Sequence, residues 1–410
     1  MDQADVIIIG AGAAGLMAGR ELIKAGKTVL LLEARNRTGG RIYKHTGAEF
    51  VHGQLPITQA LLKEAGIPYY PIPDPDIDMP YWNDFVGKLN ALEEDMPLQA
   101  FLEQYFPDEK YTALKETIKN FASGYDTANP YDASTIAMRK EWLAPEETQY
   151  RIAGGYDLLV AFLANDITRA GGHIQLSTVV KEIHWEPGHV EIITENEQRY
   201  SGRQALITVP LGVLQAPGTE KGSLQYFPPL PDKQEAVQKM GMGGVIKILL
   251  NFREAFWEHP NGVLPKPVTF IFSEEAVPTW WTQHPERSTL LTGWLGGPAA
   301  KMLKDASEEH ILQRALASLA AIFHMRIATL ESMLEHAKII NWTADPFTRG
   351  SYSYATVHTN TAKPVLCAPV ANTLFFAGEA LFEGALMGTV EAALASGEEV
   401  IKKMIQQKTA

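Results

Sequence analysis

The N-terminal part of the chain contains a strand–glycine turn–helix–strand pattern that few folds accommodate. Residues 6–9 form a continuous apolar run, which is typical of a parallel strand buried on both faces. The glycine-rich stretch 10–15 follows at once, and residues 16–25 then have the pattern of a helix that ends at Gly26. A second apolar run occupies residues 28–32. This order predicts a βαβ unit with two parallel strands.

The glycines of this unit match the physical requirements of a dinucleotide site. Gly10 permits a tight turn, Gly12 lets the backbone approach a pyrophosphate, and Gly15 with Gly19 lets the helix pack closely on the sheet. The start of the helix offers free N–H groups and the positive end of its dipole. Glu33 follows the second strand, where it is placed to accept hydrogen bonds from a ribose diol. An accidental glycine turn would not explain all of these features, although they do not separate NAD from FAD.

The residues from Glu33 onward distinguish the two cofactors. The run 33–41 reads Glu-Ala-Arg-Asn-Arg-Thr-Gly-Gly-Arg. Its two glycines permit close backbone approach, and Arg41 can neutralise a pyrophosphate. This run resembles the second signature of FAD enzymes of the amine oxidase superfamily, which implies FAD rather than NAD.

Further segments are similar to flavin-containing amine oxidases, the family of monoamine oxidases, polyamine oxidases and lysine-specific histone demethylases. They are residues 47–53, 154–159, 179–183, 208–214, 241–247, 342–354, 375–379 and 388–391. They follow the order expected for the family, and the resemblance spans residues 5 to about 405. The branch of the family stays open.

The resemblance implies an α/β fold in which a Rossmann-like FAD-binding domain of the glutathione-reductase type is interleaved with an α+β substrate-binding domain. We expect the FAD-binding domain at 1–72, 150–233 and 346–410. The substrate-binding domain then takes 73–149 and 234–345.

The residue pattern agrees with this division in part. Prolines make residues 68–80 resemble a linker. Residues 87–122 and 301–338 are predicted to be rich in helix, and residues 173–209 are predicted to form a small antiparallel sheet.

The same resemblance assigns residues to FAD. The implied cofactor-binding residues are Gly10, Gly12, Ala14, Gly15, Glu33, Ala34, Arg35, Gly40, Arg41, Phe50, Val51, Val180, Trp342, Gly378, Glu379, Thr389 and Val390. In monoamine oxidases the flavin is attached covalently to a cysteine just before one of the two tyrosines that flank the substrate amine, whereas this sequence has Ser351 at that position. Its single cysteine is Cys367. We therefore expect FAD to be bound non-covalently.

Lys247 lies between Val245 and Leu249 on one face of a predicted strand. A lysine with apolar neighbours is either a snorkelling edge residue or a buried residue with a specific task, and the pattern alone leaves both open. The family resemblance implies that Lys247 reaches a water bound to flavin N5.

Two residues are expected to flank the substrate amine. The resemblance places Tyr352 and Thr389 where monoamine oxidases have two tyrosines, so the cage is half aromatic, as in the polyamine oxidase and histone demethylase groups. From the pattern alone, Tyr352 is a core aromatic residue and Thr389 the N-cap of the last helix. As an N-cap, Thr389 would also point the helix dipole at the flavin N1–C2=O edge.

His52 matches a position that carries histidine or glutamate in polyamine oxidases, which implies contact with the substrate. A structural role is the alternative for a single histidine. The sequence has no His-Glu-x-x-His motif and no clustered ligands, so we expect no metal site. Trp280, Trp281 and Trp294 are expected to form wall or core rather than to take part in chemistry.

Charge and hydropathy limit the partners. The net charge is −12, so the protein does not have the positive electrostatic potential that is typical of nucleic-acid binders. No stretch approaches the ~20 apolar residues of a membrane helix, and the N-terminus does not resemble a signal peptide. We expect a cytoplasmic protein with no nucleic-acid or membrane partner, while its oligomeric state has no sequence signal.

The expected activity is FAD-dependent oxidation of an amine C–N bond to an imine, with O2 reduced to H2O2. The first alternative is an L-amino-acid oxidase or a related flavin oxidoreductase such as a desaturase. An amino-acid oxidase needs a carboxylate clamp, for which Arg139 and Arg151 are candidates by location. The second is a non-catalytic FAD-binding module, which Lys247 and Tyr352 argue against. Chromatin demethylation is not expected, because the sequence has no long helical insertion and no additional N-terminal domain.

Overall fold

The structure is a computed structural model that describes residues 3–73, 80–144, 148–258, 264, 267–384 and 386–406. The strands are β1 (Gln3–Ile9), β2 (Val29–Leu32), β3 (Phe50–His52), β4 (Tyr69–Ile72), β5 (Gln149–Ile152), β6 (His173–Gln175), β7 (Val180–Glu186), β8 (His189–Thr194), β9 (Arg199–Ile207), β10 (Gln225–Phe227), β11 (Gly241–Met242), β12 (Val245–Phe252), β13 (Phe270–Phe272), β14 (Thr279–Trp281), β15 (Leu290–Gly296), β16 (Leu334–Asn341), β17 (Ser353–Tyr354) and β18 (Leu374–Phe376). The helices are α1 (Ala13–Lys24), α2 (Pro56–Ala65), α3 (Trp82–Asn90), α4 (Leu98–Tyr105), α5 (Thr112–Gly124), α6 (Thr135–Trp142), α7 (Asp157–Arg169), α8 (Leu211–Leu214), α9 (Pro231–Gln238), α10 (Gly297–Met302), α11 (Glu308–Phe323), α12 (Ile327–Met333), α13 (Thr359–Cys367) and α14 (Val390–Gln406). Single 3-10 turns occupy Glu109–Tyr111, Phe256–Glu258 and Glu379–Leu381.

The main sheet has β1 as an inner strand. Within the described ranges the sheet has eight strands, in the order β10-β7-β8-β9-β1-β2-β6, with β18 also paired to β9. β1 pairs in parallel with both β2 and β9. Val6 and Ile8 pack into one core, whereas Ile7 and Ile9 pack into another. The prediction of a parallel strand buried on both faces is confirmed.

α1 leaves β1 through the glycine turn and packs against α7 and α14. Gly10 has a φ of 107°, in the region that favours glycine. A Cβ on Gly15 would lie 2.0 Å from the carbonyl oxygen of Gly10, and one on Gly397 would lie 2.4 Å from that of Ala14. The close approach of α1 to the turn and to α14 therefore requires glycine, which has no side chain, at positions 15 and 397.

β7, β8 and β9 form an antiparallel meander, as the pattern of residues 173–209 predicts. The expectation that this region forms a small sheet of its own is wrong. β9 pairs with β8 through residues 199–202 but with β1 through residues 201–207, and β6 pairs in parallel with β2. Because β9 is long enough to serve both neighbours, the meander extends the main sheet.

The second sheet places Lys247 on an inner strand. It is antiparallel, with five strands in the order β13-β14-β15-β12-β16 across the described residues. Alternate residues of β12, from Ile246 to Phe252, pack with α11 in one apolar core, which leaves Lys247 on the opposite face. The helix-rich prediction for 301–338 holds only as far as Met333, because the segment that follows is β16.

α3, α4, α5 and α6 form a helical layer with an apolar core of its own. The helix-rich prediction for residues 87–122 is confirmed. The linker prediction for 68–80 is wrong at its start, because β4 pairs with β5 and thereby joins a small sheet with β3. Pro71 is compatible with β4 because β4 is an edge strand. Residues 74–79 lie outside the described part of the chain.

The apolar cores follow these layers. Two cores cover the main sheet, one lies under the second sheet, and one lies in the helical layer. Ala236 and Val237 of α9 pack in a core of the main sheet although they follow the predicted domain limit at residue 233. The exact domain limits stay a prediction.

Among the described residues, no single helix is long and apolar enough to cross a membrane. α11 and α12 meet the requirement of length and composition only together, as a pair bent by 111°.

Candidate active site

A cavity of about 1750 Å³ extends from the glycine turn to a chamber with aromatic walls. Most of the residues assigned from the sequence line this cavity. They are Gly10, Gly12, Ala14, Glu33, Ala34, Arg35, Gly40, Arg41, Phe50, His52, Val180, Lys247, Trp342, Tyr352, Gly378, Glu379, Thr389 and Val390. The fold thus gathers segments that are far apart in the sequence into one site.

Two residues assigned to the cofactor are not part of the lining. Val51 is 0% exposed and belongs to the core beneath the main sheet, because alternation along β3 turns it away from its neighbours Phe50 and His52. Gly15 faces the Gly10 carbonyl, so it serves the packing of α1. Contact of Gly15 or Val51 with FAD stays a prediction.

The glycine turn leaves room for a dinucleotide. Apart from the chain neighbours of Gly12, no atom of the described residues lies within 4 Å of the position that a Cβ on Gly12 would occupy. Gly12 is also the N-cap of α1 and makes no side-chain capping bond. Open space beside a helix N-terminus suits a pyrophosphate, since the first N–H groups of the helix need acceptors.

Glu33 is held by the backbone at this end of the cavity. Its carboxylate accepts hydrogen bonds from the N–H groups of Ala11 at 2.8 Å and Arg35 at 2.9 Å. The residue is 6% exposed and still lines the cavity. It therefore ties the glycine turn to the end of β2, and contact with a ribose stays a prediction.

Arg35 is anchored away from the glycine turn. Its guanidinium binds both carboxylate oxygens of Asp345, at 3.0 and 2.6 Å, and lies 5.6 Å from the Trp342 ring centre. Trp342 in turn donates from Nε1 to the Thr46 carbonyl at 2.8 Å. These contacts fix the guanidinium of Arg35 and the indole of Trp342 on the cavity wall.

Arg41 and Glu379 form an ion pair on the cavity wall. Arg41 donates to Glu379 at 2.8 Å and to the carbonyl oxygen of Ser351 at 2.6 Å. The other oxygen of Glu379 accepts from the Ser353 hydroxyl at 2.5 Å. Gly378, just before Glu379, has a φ of 151° that a side chain would disfavour. Neutralisation of a pyrophosphate by Arg41 stays a prediction.

Lys247 has the specific partners that a buried ammonium requires. Its side chain is 1% exposed and donates to Glu49 at 2.5 Å and to the Gly47 carbonyl at 2.8 Å. The alternative of a snorkelling edge lysine is wrong, because β12 lies between β15 and β16. Burial lowers the pKa of Lys247, and the negative charge of Glu49 opposes that change.

Tyr352 stands in the aromatic chamber. Its ring is nearly parallel to that of Trp294, with an interplanar angle of 21° and ring centres 6.4 Å apart. The Tyr352 hydroxyl donates to the Tyr125 carbonyl. A Cβ on Gly388 would lie 3.1 Å from the Tyr352 ring, so Gly388 brings the start of α14 close to it.

Thr389 caps α14, as the sequence predicts. Its hydroxyl accepts a hydrogen bond from Ala392 N at 3.1 Å and donates to Leu386 O at 2.7 Å. Thr389 and Val390 line the cavity, so the N-terminus of α14 borders it. Contact of Thr389 with flavin or substrate stays a prediction.

His52 is a neutral imidazole at the cavity. Burial lowers its pKa to about 4, although a hydrogen bond with Gln149 favours the protonated form. Its Nδ1 is buried without a hydrogen-bond partner in the described structure, and its ring meets that of Tyr125 edge to face at 5.8 Å. A substrate contact stays a prediction for His52.

Sequence reasoning missed a pair of carboxyl groups in the chamber. Asp126 and Glu141 both line the cavity and are hydrogen-bonded to each other, and Trp142 Nε1 donates to Asp126 at 3.1 Å. Burial raises the pKa of Glu141 to about 7, and burial together with the charge of Glu141 raises that of Asp126. No motif covers residues 73–149, so neither residue had a signal.

Sequence reasoning also missed the role of Glu49. The family resemblance covers residues 47–53, but no pattern in the sequence gives Glu49 a partner. A glutamate between glycine and apolar residues in a segment that precedes a buried strand is itself a sign of a paired buried charge.

The two arginines considered as carboxylate clamps are engaged elsewhere. Arg139 donates to the backbone carbonyls of Leu89 at 3.1 Å and Leu92 at 2.8 Å, where it holds the end of α3. Arg151 is 6% exposed and lies 3.9 Å from Glu49. In the described part of the cavity lining, the arginines are Arg35 and Arg41.

Comparison with known families gives one match that covers most of the chain. The description of that family is flavin containing amine oxidoreductase, and the match extends over residues 13–119 and 88–401. The chain belongs to this family. FAD is therefore its cofactor, and the open glycine turn described above fits it.

Curated relatives of this amine oxidoreductase include proteins named as histone demethylases and a polyamine oxidase. Human lysine-specific histone demethylase 2 is 26% identical over 92% of this chain and 50% of its own length. Lysine-specific histone demethylase 1 homolog 2 of Oryza sativa subsp. japonica is 28% identical over 98% and 57%. Polyamine oxidase 2 of Arabidopsis thaliana is 26% identical over 98% and 89%. The chain thus spans about half the length of these demethylases.

Solved structures confirm the fold class. A triple mutant of putrescine oxidase superposes with a TM-score of 0.80, 20% identity and coverage of 99% of both chains. Wild-type putrescine oxidase bound to putrescine gives a TM-score of 0.78, with 18% identity over 98% of this chain and 99% of that one. The amine oxidase fold, with its Rossmann-like FAD domain, is therefore shown.

Proposed function

We propose that this amine oxidoreductase is an oxidase of small amines. The amine C–N bond is oxidised to an imine, O2 is reduced to H2O2, and water hydrolyses the imine. FAD, when bound, would supply the redox chemistry by accepting a hydride equivalent (two electrons and one proton) from the amine and passing it to O2, and the proton that the amine nitrogen releases completes H2O2. The protein supplies binding, orientation and electrostatics.

One observation carries this proposal: the dinucleotide end of the cavity is continuous with an aromatic chamber that contains a buried cation. Gly12 lines one end, Tyr352 and Trp294 line the other, and Lys247 lines the wall. The residues between these two ends would hold the redox-active part of FAD next to the space for a substrate. A structural FAD site would need no such chamber.

The chamber residues would orient an amine and exclude water. The rings of Tyr352 and Trp294 are offset and nearly parallel, which leaves their faces and edges for an apolar amine stem. The neutral His52 can accept or donate one hydrogen bond without placing a charge beside the substrate. Lys247 adds positive charge where negative charge builds during transfer.

The names of the relatives support an amine as the substrate. They suggest either a free polyamine or a methylated lysine side chain. Polyamine oxidase 2 shares most of its length with this chain, which favours a free small amine. The demethylases share only half of theirs, so a methylated lysine side chain is the second candidate.

An amino-acid oxidase is the weaker alternative. The two arginines that could clamp a substrate carboxylate are engaged, Arg139 with backbone carbonyls and Arg151 beside Glu49, and the Lys247 ammonium is itself paired with Glu49. A non-catalytic FAD-binding module is weaker still, because it does not account for the chamber.

The test is a peroxide-coupled assay on the FAD-loaded protein. The panel contains aliphatic monoamines, aromatic amines, diamines and polyamines, a methyl-lysine peptide and L-amino acids. We expect peroxide from at least one amine, with anaerobic bleaching of the flavin by the same compound. Peroxide from amino acids alone would support the alternative, and a flavin that no compound bleaches would support a binding module.

A further inference from the structure

Lys247 is a buried cation that receives its partners from one loop. Its ammonium donates to Gly47 O at 2.8 Å and to Glu49 Oε1 at 2.5 Å. The side chains of Lys247 and Glu49 are 1% and 6% exposed. An ammonium has three N–H donors, so these two bonds fix its direction and leave one donor for a partner outside the loop.

The second carboxylate oxygen of Glu49 is held from the opposite side. Trp281 Nε1 donates to Glu49 Oε2 at 3.1 Å, and Arg151 Nη2 lies 3.9 Å from the same oxygen. Arg151 is itself fixed, since it donates to Gln283 at 3.1 Å and stacks 4.9 Å from the Phe50 ring centre. Both oxygens of Glu49 are therefore engaged by groups that do not belong to its own loop.

These side chains form a row of one buried anion between two buried cations. Burial acts to raise the pKa of Glu49, but the charges of Lys247 and Arg151 overcome this and hold it below its usual value. Burial lowers the pKa of Lys247, with Glu49 acting against that change. Without the anion, Lys247 and Arg151 would face each other in a site poor in water, and the amine is the one of the two that can lose its proton.

We propose, on the basis of the oxidase function proposed above, that Glu49 is a positioning residue for the flavin reaction. It holds the Lys247 ammonium in its charged form at a fixed point of the cavity wall, while Arg151 and Trp281 fix Glu49. The charge that the cavity wall presents then depends on the carboxylate of Glu49. A merely structural ion pair would stabilise the loop and leave the flavin unaffected.

The test needs no amine, so it is independent of the proposed function. FAD-loaded wild type, Glu49→Gln, Lys247→Met and the double variant are reduced by light. Their reoxidation by O2 and the flavin midpoint potential are then followed between about pH 6 and pH 9. The double variant removes both charges together and is the matched control.

We expect a new titration only in Glu49→Gln. Its reoxidation rate should fall at least tenfold from the acid to the alkaline side, with a matching pH-dependent break in the midpoint potential. Wild type should lack this break, and so should both variants without Lys247. The other titratable group that faces this row is His45, whose pKa responds to the charges of Glu49, Lys247 and Arg151. A break that persists in the double variant would overturn the assignment, because His45 rather than Lys247 would then be titrating.

A conservative variant covers the outcome in which Glu49→Gln does not fold. Glu49→Asp keeps the negative charge but moves the carboxylate away from Lys247 by the length of one methylene group. The pH-dependent change in reoxidation rate and potential should therefore appear at a higher pH than in Glu49→Gln, but within the measured range. Profiles of Glu49→Asp and wild type that agree within twofold at every pH, with equal potentials, would show that Glu49 is only structural.

Discussion

Glu391, in the first turn of α14, accepts two hydrogen bonds from Thr58 at the start of α2. The donors are the Thr58 N–H at 2.8 Å and the Thr58 hydroxyl at 2.7 Å, and the N–H of Ile57 adds a third bond at 2.8 Å. Glu391 is 3% exposed. One carboxylate therefore satisfies free N–H groups at the start of α2 and joins α2 to the start of α14.

We predict that Glu391→Ala destabilises the FAD-free protein by roughly 2–4 kcal/mol, since it leaves buried donors without an acceptor. The measurement is urea unfolding of the apoprotein. Glu399→Ala, at an exposed position of the same helix, is the control and should change stability by less than about 0.5 kcal/mol. Equal curves for the two variants would contradict the capping role.

The dinucleotide end supplies a second prediction. Glu33→Ala and Arg41→Ala should each weaken FAD binding by about one to two decades, because each removes a charged hydrogen-bonding group worth about 1.5–3 kcal/mol. For Glu33 part of the loss comes from the Ala11 and Arg35 N–H groups that it orders. FAD titration of the apoprotein measures this. A Glu33→Ala protein that keeps full FAD affinity but loses turnover would show that the ribose site is misplaced.

A third prediction concerns the form of the bound flavin. Ser351 stands where a cysteine would be needed, and Cys367 ends α13 with its thiol against the Leu381 carbonyl, outside the described cavity lining. Acid precipitation should therefore release all of the yellow colour into the supernatant. Flavin retained on the pellet would establish a covalent bond.

The parts of this site that could be predicted from the sequence are those that depend on residues close together in the chain. The glycine turn is readable because Gly10 and Gly12 follow a strand and precede a helix within one short segment. Lys247 is readable because its strand neighbours are apolar.

The parts that were not predictable depend on contacts between distant segments. Lys247 meets Glu49 across 198 positions of the sequence, and neither local pattern names the other residue. Val51 was assigned to FAD by its place in a motif, but strand alternation turns it into the core. Asp126 follows α5 and Glu141 lies in α6, so only the tertiary structure brings them together. No sequence motif covers this region.

The carboxyl pair gives a prediction about pH. The folded pKa of Glu141 is raised to about 7 from an unfolded value of 4.5, so the folded protein holds a proton that the unfolded chain releases. Its contribution to stability is therefore fully present below about pH 4.5 and is lost as the pH rises towards 7. We expect the free energy of unfolding of wild type, relative to Glu141→Gln, to fall across that range. Unfolding of the apoproteins at several pH values tests this, with Glu235→Gln as an exposed control. A constant difference between wild type and Glu141→Gln would contradict the raised pKa.

The last prediction concerns Lys247 itself. Lys247→Met should fold and keep FAD, because Arg151 and Trp281 remain to hold the Glu49 carboxylate and methionine preserves most of the side-chain volume. The variant removes a charge from a cavity wall that is poor in water, and such a charge can contribute several kcal/mol to a transition state. We therefore expect anaerobic reduction by amine, reoxidation by O2, or both to slow at least tenfold. Stopped-flow measurements should follow the two half-reactions separately.

Lys233→Met is the matched control for this variant. Lys233 is also buried, at 8% exposure, but its ammonium donates to the carbonyls of Val365, Leu366 and Ala368 at the end of α13, and it does not line the described cavity. Its replacement should lower stability and leave both half-reactions unchanged, because the lost bonds hold a helix end rather than the chamber. If Lys247→Met also keeps both rates within about twofold of wild type, less than ~0.4 kcal/mol, then Lys247 acts only as a structural partner of Glu49.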